Sequence, residues 1–260
     1  MNQAVKDGDS YDAQGERYQR NHDANFLHEL QALQAEINGP TALYYASKGG
    51  HVEVVRLLLS VKGIQVNPDR YNGTTALLMA SANGHIDVVR LLLGAKGVDV
   101  NRANIDGYTA LIVASSYCLD DYEGDRHTNW KQTVSSWYID IVRLLLGVEG
   151  VEVNQAIRRK GPAEGFTALI FASYGGHVEV SRLLLEAEGI DVNHTSKHNK
   201  ECPYNCLMLS THGVTALMAA SEKDESDDEI DEENKQGIVR LLIDAGARTI
   251  DLKENLKEKE

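Results

Sequence analysis

The sequence predicts an all-α solenoid, a stack of helix pairs joined by hairpin-like fingers, and three observations carry that prediction. The string Thr-Ala-Leu recurs at Thr41, Thr75, Thr109, Thr167 and Thr215, and each copy runs on to an Arg-Leu-Leu that opens at Arg56, Arg90, Arg143, Arg182 or Arg240. Self-similarity at a fixed period marks a repeat architecture. The spacing is the second observation. Thr41, Thr75 and Thr109 are evenly spaced, and the step from Thr to Arg is identical in Thr41–Arg56, Thr75–Arg90 and Thr167–Arg182. It is longer in Thr109–Arg143 and Thr215–Arg240, so copies three and five carry insertions. Finally, Ile86-Asp87-Val88-Val89-Arg90-Leu91-Leu92-Leu93 is apolar around most of a helical circumference. Water tolerates such a helix only when neighbours cover it on both sides, and a unit of this kind buries its faces against the next unit.

Residues 1–22 are polar, as mobile chain ends tend to be. Residues 23–37 place Phe26, Leu27, Leu30, Leu33 and Ile37 at helical spacing, which predicts an amphipathic helix capping the first repeat. The repeat region runs over 38–248, with copies near 38–70, 71–104, 105–156, 161–194 and 212–248, and a charged tail occupies 249–260.

Within each copy the local chemistry is readable. Thr ahead of Ala-Leu suits a helix N-cap, its hydroxyl accepting from a backbone N–H that has no partner in the helix. Leu77 and Ala80 share one face of the first helix, and Gly50, Gly84 and Gly176 suit the left-handed residue that ends it. After the second helix come Gly97 and Val98-Asp99-Val100-Asn101, and then fingers turned by Asn72-Gly73 and Asp106-Gly107. Glu53–Arg56, Asp87–Arg90, Asp140–Arg143 and Glu179–Arg182 are three apart and read as intrahelical pairs on a solvated face.

These residues resemble the ankyrin repeat family. The matching strings are Gly73-Thr74-Thr75-Ala76-Leu77, Gly84-His85, Val88-Val89-Arg90-Leu91-Leu92-Leu93 and Val98-Asp99-Val100-Asn101, with equivalents around Thr41, Thr109 and Thr167 and looser ones around Thr215. The family's Pro after the Thr is Ala in every copy, and its following His is Tyr44, Leu78, Ile112, Ile170 or Met218. The resemblance implies a protein-interaction module acting as adaptor, scaffold or inhibitor through a concave face, without a cofactor. A bacterial effector acting on a host protein is a variant of that reading.

The composition narrows the function. The net charge is −13, opposite to the basic surface that nucleic-acid binding needs. Residues 222–233 hold nine acids against one Lys, Lys223. A charge run of this kind reads as a solvated loop dispensable for folding, and Ser226 within it resembles an acidophilic kinase site. The chain has 3 Cys, too few for a disulfide framework, so a reducing compartment is expected. No secretory signal is visible, and no uninterrupted apolar run is long enough to span a bilayer. The expectation is a monomeric protein of the cytoplasm, or of the host cytosol for a secreted effector, bound to another protein and to neither nucleic acid nor membrane.

Two segments could hold chemistry. His194, His198, Cys202 and Cys206 have the residue types of a tetrahedral zinc site, which would make a zinc-stabilised regulatory module. The Cys-x2-Cys knuckle is absent and Pro203 interrupts the segment, so an exposed loop is the favoured reading and no metal is assigned. Cys118 and His127 lie in the third insertion with Asp120 and Asp121, but nothing in the sequence supplies an oxyanion site, and the chain is read as not an enzyme. The same insertion holds Trp130 and, at its edge, Trp137. As a loop it would offer Trp130 to a partner; alternatively, Trp137 and Tyr138 extend the second helix and pack on a neighbouring repeat.

The family pattern places partner contacts at the fingers and just before the first-helix Gly. Here these are Tyr71, Asn72, Thr74, Ala82, Asn83, Ile105, Tyr108, Ser116, Tyr117, Phe166 and Tyr174, with Trp130 added from the insertion. Their aromatics are of the type enriched at binding hot spots.

Overall fold

A computed structural model describes residues 40–67, 72–116, 135–159, 163–196, 213–221 and 229–248. Ten helices lie among them: α1 (Pro40–Lys48), α2 (Val52–Leu59), α3 (Ala76–Ala82), α4 (Ile86–Leu93), α5 (Ala110–Ser116), α6 (Ser135–Leu146), α7 (Ala168–Tyr174), α8 (Val178–Leu185), α9 (Ala216–Ser221) and α10 (Glu229–Asp244). They form five successive pairs. The first helix of each pair packs on the first helix of the next, and the second helices do likewise. The result is a two-layered solenoid, with α1, α3, α5, α7 and α9 in one layer and α2, α4, α6, α8 and α10 in the other.

The predicted caps form. The hydroxyls of Thr75, Thr109, Thr167 and Thr215 accept from the backbone N–H of Leu78, Ile112, Ile170 and Met218 at 3.1–3.4 Å. The first pair differs. Its helix opens at Pro40, so Thr41 lies inside the helix and not ahead of it. Proline fits a first helical position because its φ is preset and its missing N–H would have had no partner there. At the other end of α3, Gly84 has φ +73°. The His85 N–H then reaches the Ala80 carbonyl at 3.0 Å, closing the turn between the paired helices.

The core is one row of aliphatic side chains between the layers. Leu43, Leu92, Ile112, Ile141, Leu145, Leu169, Leu184, Leu217 and Leu242 are fully buried. The predicted ion pairs Glu53–Arg56, Asp140–Arg143 and Glu179–Arg182 form at 3.4, 2.9 and 3.6 Å on exposed helix faces. Each contributes a few tenths of a kcal/mol.

Polar side chains also link pair to pair. Asn67 donates to the Gly97 carbonyl at 2.6 Å and accepts from the Asp99 N–H at 3.0 Å. Asn101 does the same with Gly150 and Glu152 at 2.8 and 2.8 Å, Asn154 with Gly189 and Asp191 at 2.7 and 2.8 Å, and Asn193 with Gly246 and Arg248 at 3.3 and 2.8 Å. The closing Asn of Val-Asp-Val-Asn is thus a two-bonded staple onto the following repeat. Asn101→Ala breaks both bonds, each worth about 1 kcal/mol net, so urea unfolding should report a loss of about 2 kcal/mol. An unchanged midpoint would show that water replaces the staple.

The acidic stretch departs from expectation. Residues 229–233, expected in a solvated loop, form the start of α10, a helix of 16 residues where α2, α4 and α8 have 8 and α6 has 12. Glu232 and Glu233, exposed early in this helix, carry charge of the sign that the positive end of a helix dipole favours. Gln236 adds a hydrogen bond to Glu232 at 3.1 Å. Residues 222–228 and Ser226 lie outside the described residues. Replacing 222–228 with a Gly/Ser linker should leave the thermal midpoint within about 2 °C. Extending the replacement through 233 puts Gly into helix at about 1 kcal/mol each, and the midpoint should fall by several degrees. Equal midpoints for the two variants would mean that the first turns of α10 add nothing.

The third insertion resolves one alternative. α6 starts at Ser135 and so includes Trp137 and Tyr138. Tyr138 is buried, and its hydroxyl donates to the Ala82 carbonyl at 3.0 Å. Trp137 lies over Gly84, where a Cβ would stand 3.5 Å from its ring. The two residues therefore extend the second helix and pack on the preceding repeat. Trp130, Tyr117, Cys118, Asp120, Asp121 and His127 lie outside the described residues.

Candidate functional site

The fingers are held from several directions. In the finger between the second and third pairs, the Asn104 side chain accepts from the N–H groups of Asp106 and Tyr108 at 3.1 and 2.9 Å. Its backbone N–H donates to the Tyr108 carbonyl at 3.0 Å. The Ile105 N–H donates to the Asn72 carbonyl at 2.8 Å, tying this finger to the one before it, while the Asn72 side chain accepts from the Thr74 N–H at 3.2 Å. In the next finger the Ile157 N–H donates to the Phe166 carbonyl at 3.0 Å and the Gly165 N–H to the Ile157 carbonyl at 2.8 Å. An Arg159–Asp106 ion pair joins these two fingers. His194 continues the row, its Nε2–H donating to the Gly165 carbonyl at 3.1 Å.

This scaffold presents some predicted contact residues and hides others. Ile105 is 66% exposed at a finger tip, and Asn83 is exposed at the end of α3. Asn72, Ala82, Tyr108 and Tyr174 are half-buried. Three expectations are corrected: Thr74, Ser116 and Phe166 are buried in the fold. Phe166 packs edge-on to Phe171 with ring centroids 5.3 Å apart, and Tyr108 meets the same ring at 6.3 Å. The aromatics of repeats three and four are drawn together largely to fill the space around Phe171. Tyr71, like Tyr117 and Trp130, lies outside the described residues.

The zinc-type segment is described only at His194. Its Nδ1 is 3.9 Å from an Asp191 carboxylate oxygen, and its other ring nitrogen is committed to Gly165. His198, Cys202 and Cys206 are not among the described residues, which contain no group of three or more metal-type side chains.

Two features escaped the sequence reading. Arg158 and Arg159 are both exposed beside Ile105's finger, a basic spot on a chain of net charge −13. The second is a column of donor side chains five positions before each repeat's Arg: His51, His85, Tyr138, His177 and Lys235. His85 Nε2–H donates to the carbonyl of Lys48, the last residue of α1, at 2.9 Å. Tyr138 treats Ala82, the last residue of α3, in the same way, and the His177 imidazole lies under the influence of the Ser116 backbone at the end of α5. The Lys235 ammonium sits 5.8 Å above the ring of Tyr174, the last residue of α7. From the second repeat onward, the side chain at this offset thus lies against the C-terminal end of the preceding repeat's first helix, where carbonyls lack helical partners. The common signal was a donor at a fixed offset.

Stacked helix pairs with inter-bonded fingers define a solenoid repeat protein. The chain belongs to the ankyrin repeat family: the family model described as ankyrin repeats matches in three copies, over residues 3–104, 72–123 and 132–254. Ankyrin repeats generally bind other proteins and are typically not enzymes. No curated protein matches the chain. No helix among the described residues is long and apolar enough to cross a membrane.

Proposed function

We propose that this protein is an interaction module, acting as adaptor, scaffold or inhibitor, whose docking surface centres on the adjoining finger tips of repeats three and four. The observation that supports this reading is Ile105, a large apolar side chain left 66% exposed on a backbone fixed by the Asn72 and Asn104 hydrogen bonds. A finger tip needed only for solubility would carry a polar residue there. An apolar side chain on a rigid support loses little freedom on binding. Arg158, exposed on the adjoining finger, suits a carboxylate, which a guanidinium engages through paired N–H donors, while Arg159 is held by Asp106. Tyr108, half-buried on the same finger as Ile105, extends this surface. The partner segment this chemistry fits has an apolar side chain flanked by acids.

Cross-linking capture with the full chain, followed by titration of the recovered partner, tests this. Ile105→Asp should weaken binding at least about tenfold, the scale of a hot-spot residue, while the unfolding midpoint stays put. Arg90→Ala, on the exposed face of α4, should leave binding unchanged. Equal affinity of Ile105→Asp and the unaltered chain would move the docking surface elsewhere.

A further inference from the structure

A cleft of about 860 Å³ opens between the turns that leave α6 and α8. One wall runs from Val151 to Arg158, and the other holds Glu188, Gly189 and His194. The bonds of Asn154 to Gly189 and Asp191 fix the separation of the walls. Glu152 and Glu188 line the cleft from opposite walls, and both are exposed. Among the described residues neither carboxylate forms an ion pair, in contrast to Glu53, Asp140 and Glu179 on the helices. Two carboxylates on one cleft without a counter-charge hold a negative potential there, which attracts a cation. The charge is particular to the middle of the solenoid. The same two turn positions are Gln65 and Lys96 at the first junction between repeats, and Asp99 and Glu149 at the second. Gln155 lines the same cleft, and its Oε1 is buried and accepts no hydrogen bond. A buried acceptor without a donor costs free energy.

We propose that this cleft is a docking site for a lysine or arginine side chain on an exposed segment of a partner protein. Its N–H donors are shared between the Glu152 and Glu188 carboxylates and the Gln155 carboxamide. A side chain with several donors suits three acceptors that have none between them. The other nearby donors do not compete. The His194 Nε2–H is committed to the Gly165 carbonyl, and Arg158 belongs to the finger, away from the turns that carry the two acids. A divalent cation fits less well, because it takes six or more oxygen ligands and the described residues contain no group of three metal-type side chains. The site stands apart from the Ile105 finger tip, and its occupancy does not depend on that residue.

A library of displayed random peptides, selected on the full chain, supplies the probe. Peptides selected on the unaltered chain should share a Lys or Arg position, and a synthetic peptide of that consensus should bind less tightly as salt rises. Glu152→Gln combined with Glu188→Gln should weaken its binding about fivefold or more. Glu152→Lys combined with Glu188→Lys should select acidic residues in place of the basic position. Neutralising acids elsewhere, as in Glu233→Gln with Asp244→Asn, should change neither result. Gln155→Leu separates a contact from packing. It should weaken peptide binding while the urea midpoint stays or rises, because it removes an acceptor that has no partner in the fold. Ile105→Asp should leave the affinity of this peptide unchanged, so the cleft and the finger tip are read out separately. Selection without a basic position, or a basic position that persists with Glu152→Lys and Glu188→Lys, would overturn the proposal. So would a Gln155→Leu variant that loses stability and retains affinity.

Discussion

Gly107→Ala is expected to destabilise the protein by about 3 kcal/mol, well beyond what its backbone angle alone would cost. Gly107 has φ +92°, a region that costs a residue bearing a Cβ about 1–2 kcal/mol. Space is the larger constraint. A Cβ there would stand 2.5 Å from the backbone nitrogen of Arg158 and 3.0 Å from the Cα of Ile157. Backbone atoms cannot swing aside as a side-chain tip can, so the Ile157 segment would have to move, straining its bonds to Phe166 and Gly165 at 3.0 and 2.8 Å. Gly97→Ala is the matched control. Its φ is +85° and nothing lies within 4 Å of the added Cβ, so only the conformational cost of about 1–2 kcal/mol remains. Urea denaturation of the two variants separates backbone preference from finger packing. Equal losses would show that the fingers of repeats three and four are not in firm contact. If the proposed docking surface lies on those finger tips, Gly107→Ala should also weaken partner binding while Gly97→Ala should not.

The parts of this fold that were legible in the sequence are governed by local rules. A Thr before an apolar helix and a Gly after it have few alternative uses, which is why Thr75 and Gly84 could be placed from the sequence. The acidic stretch misled because a charge run was weighed by composition alone. Its second half supplies the first turns of α10, and helix termini favour the very carboxylates that elsewhere mark solvated loops. Phe166 misled for a different reason. Its repeat position points to the surface, but whether that position is open depends on Phe171 packing against it, and on Tyr108, which meets the Phe171 ring from the preceding repeat, far away in sequence. The staples of Asn67, Asn101, Asn154 and Asn193 were invisible because their partners are backbone groups in the following repeat, as Gly97 is for Asn67. A side chain that bonds only backbone leaves no matching residue type to find. The donor column was readable in principle, since His, Tyr and Lys share a fixed offset from Arg and share only the ability to donate.

Acidification should weaken the fold through that column. Burial between repeats pushes the His177 imidazole from its ordinary 6.5 down to about 4, against the opposing pull of the Ser116 backbone. The ring lies over Gly175, where a Cβ would come within 2.5 Å of Nε2. Above pH 6.5 the imidazole is neutral in both folded and unfolded chains, and the stabilisation it confers is fully present. As pH falls from 6.5 towards 4, the unfolded chain takes up a proton that the folded chain refuses, so stability is lost throughout that window. Below about 4 both states are protonated and the loss levels off. Each tenfold difference in proton affinity is worth about 1.4 kcal/mol, so the whole window costs about 3 kcal/mol at this one residue. His85 is lowered in the same direction, chiefly by burial, and adds to the slope. Carboxylates begin to titrate near the bottom of the window, so the informative quantity is a difference between variants. His177→Gln retains a donor of comparable reach and has no charge to gain. Unfolding free energies measured at about pH 7 and about pH 4.5 should therefore fall by about 2–3 kcal/mol less in His177→Gln than in the unaltered chain. Parallel losses in the two proteins would mean that His177 accepts its proton within the fold, and that the column it belongs to is open to water.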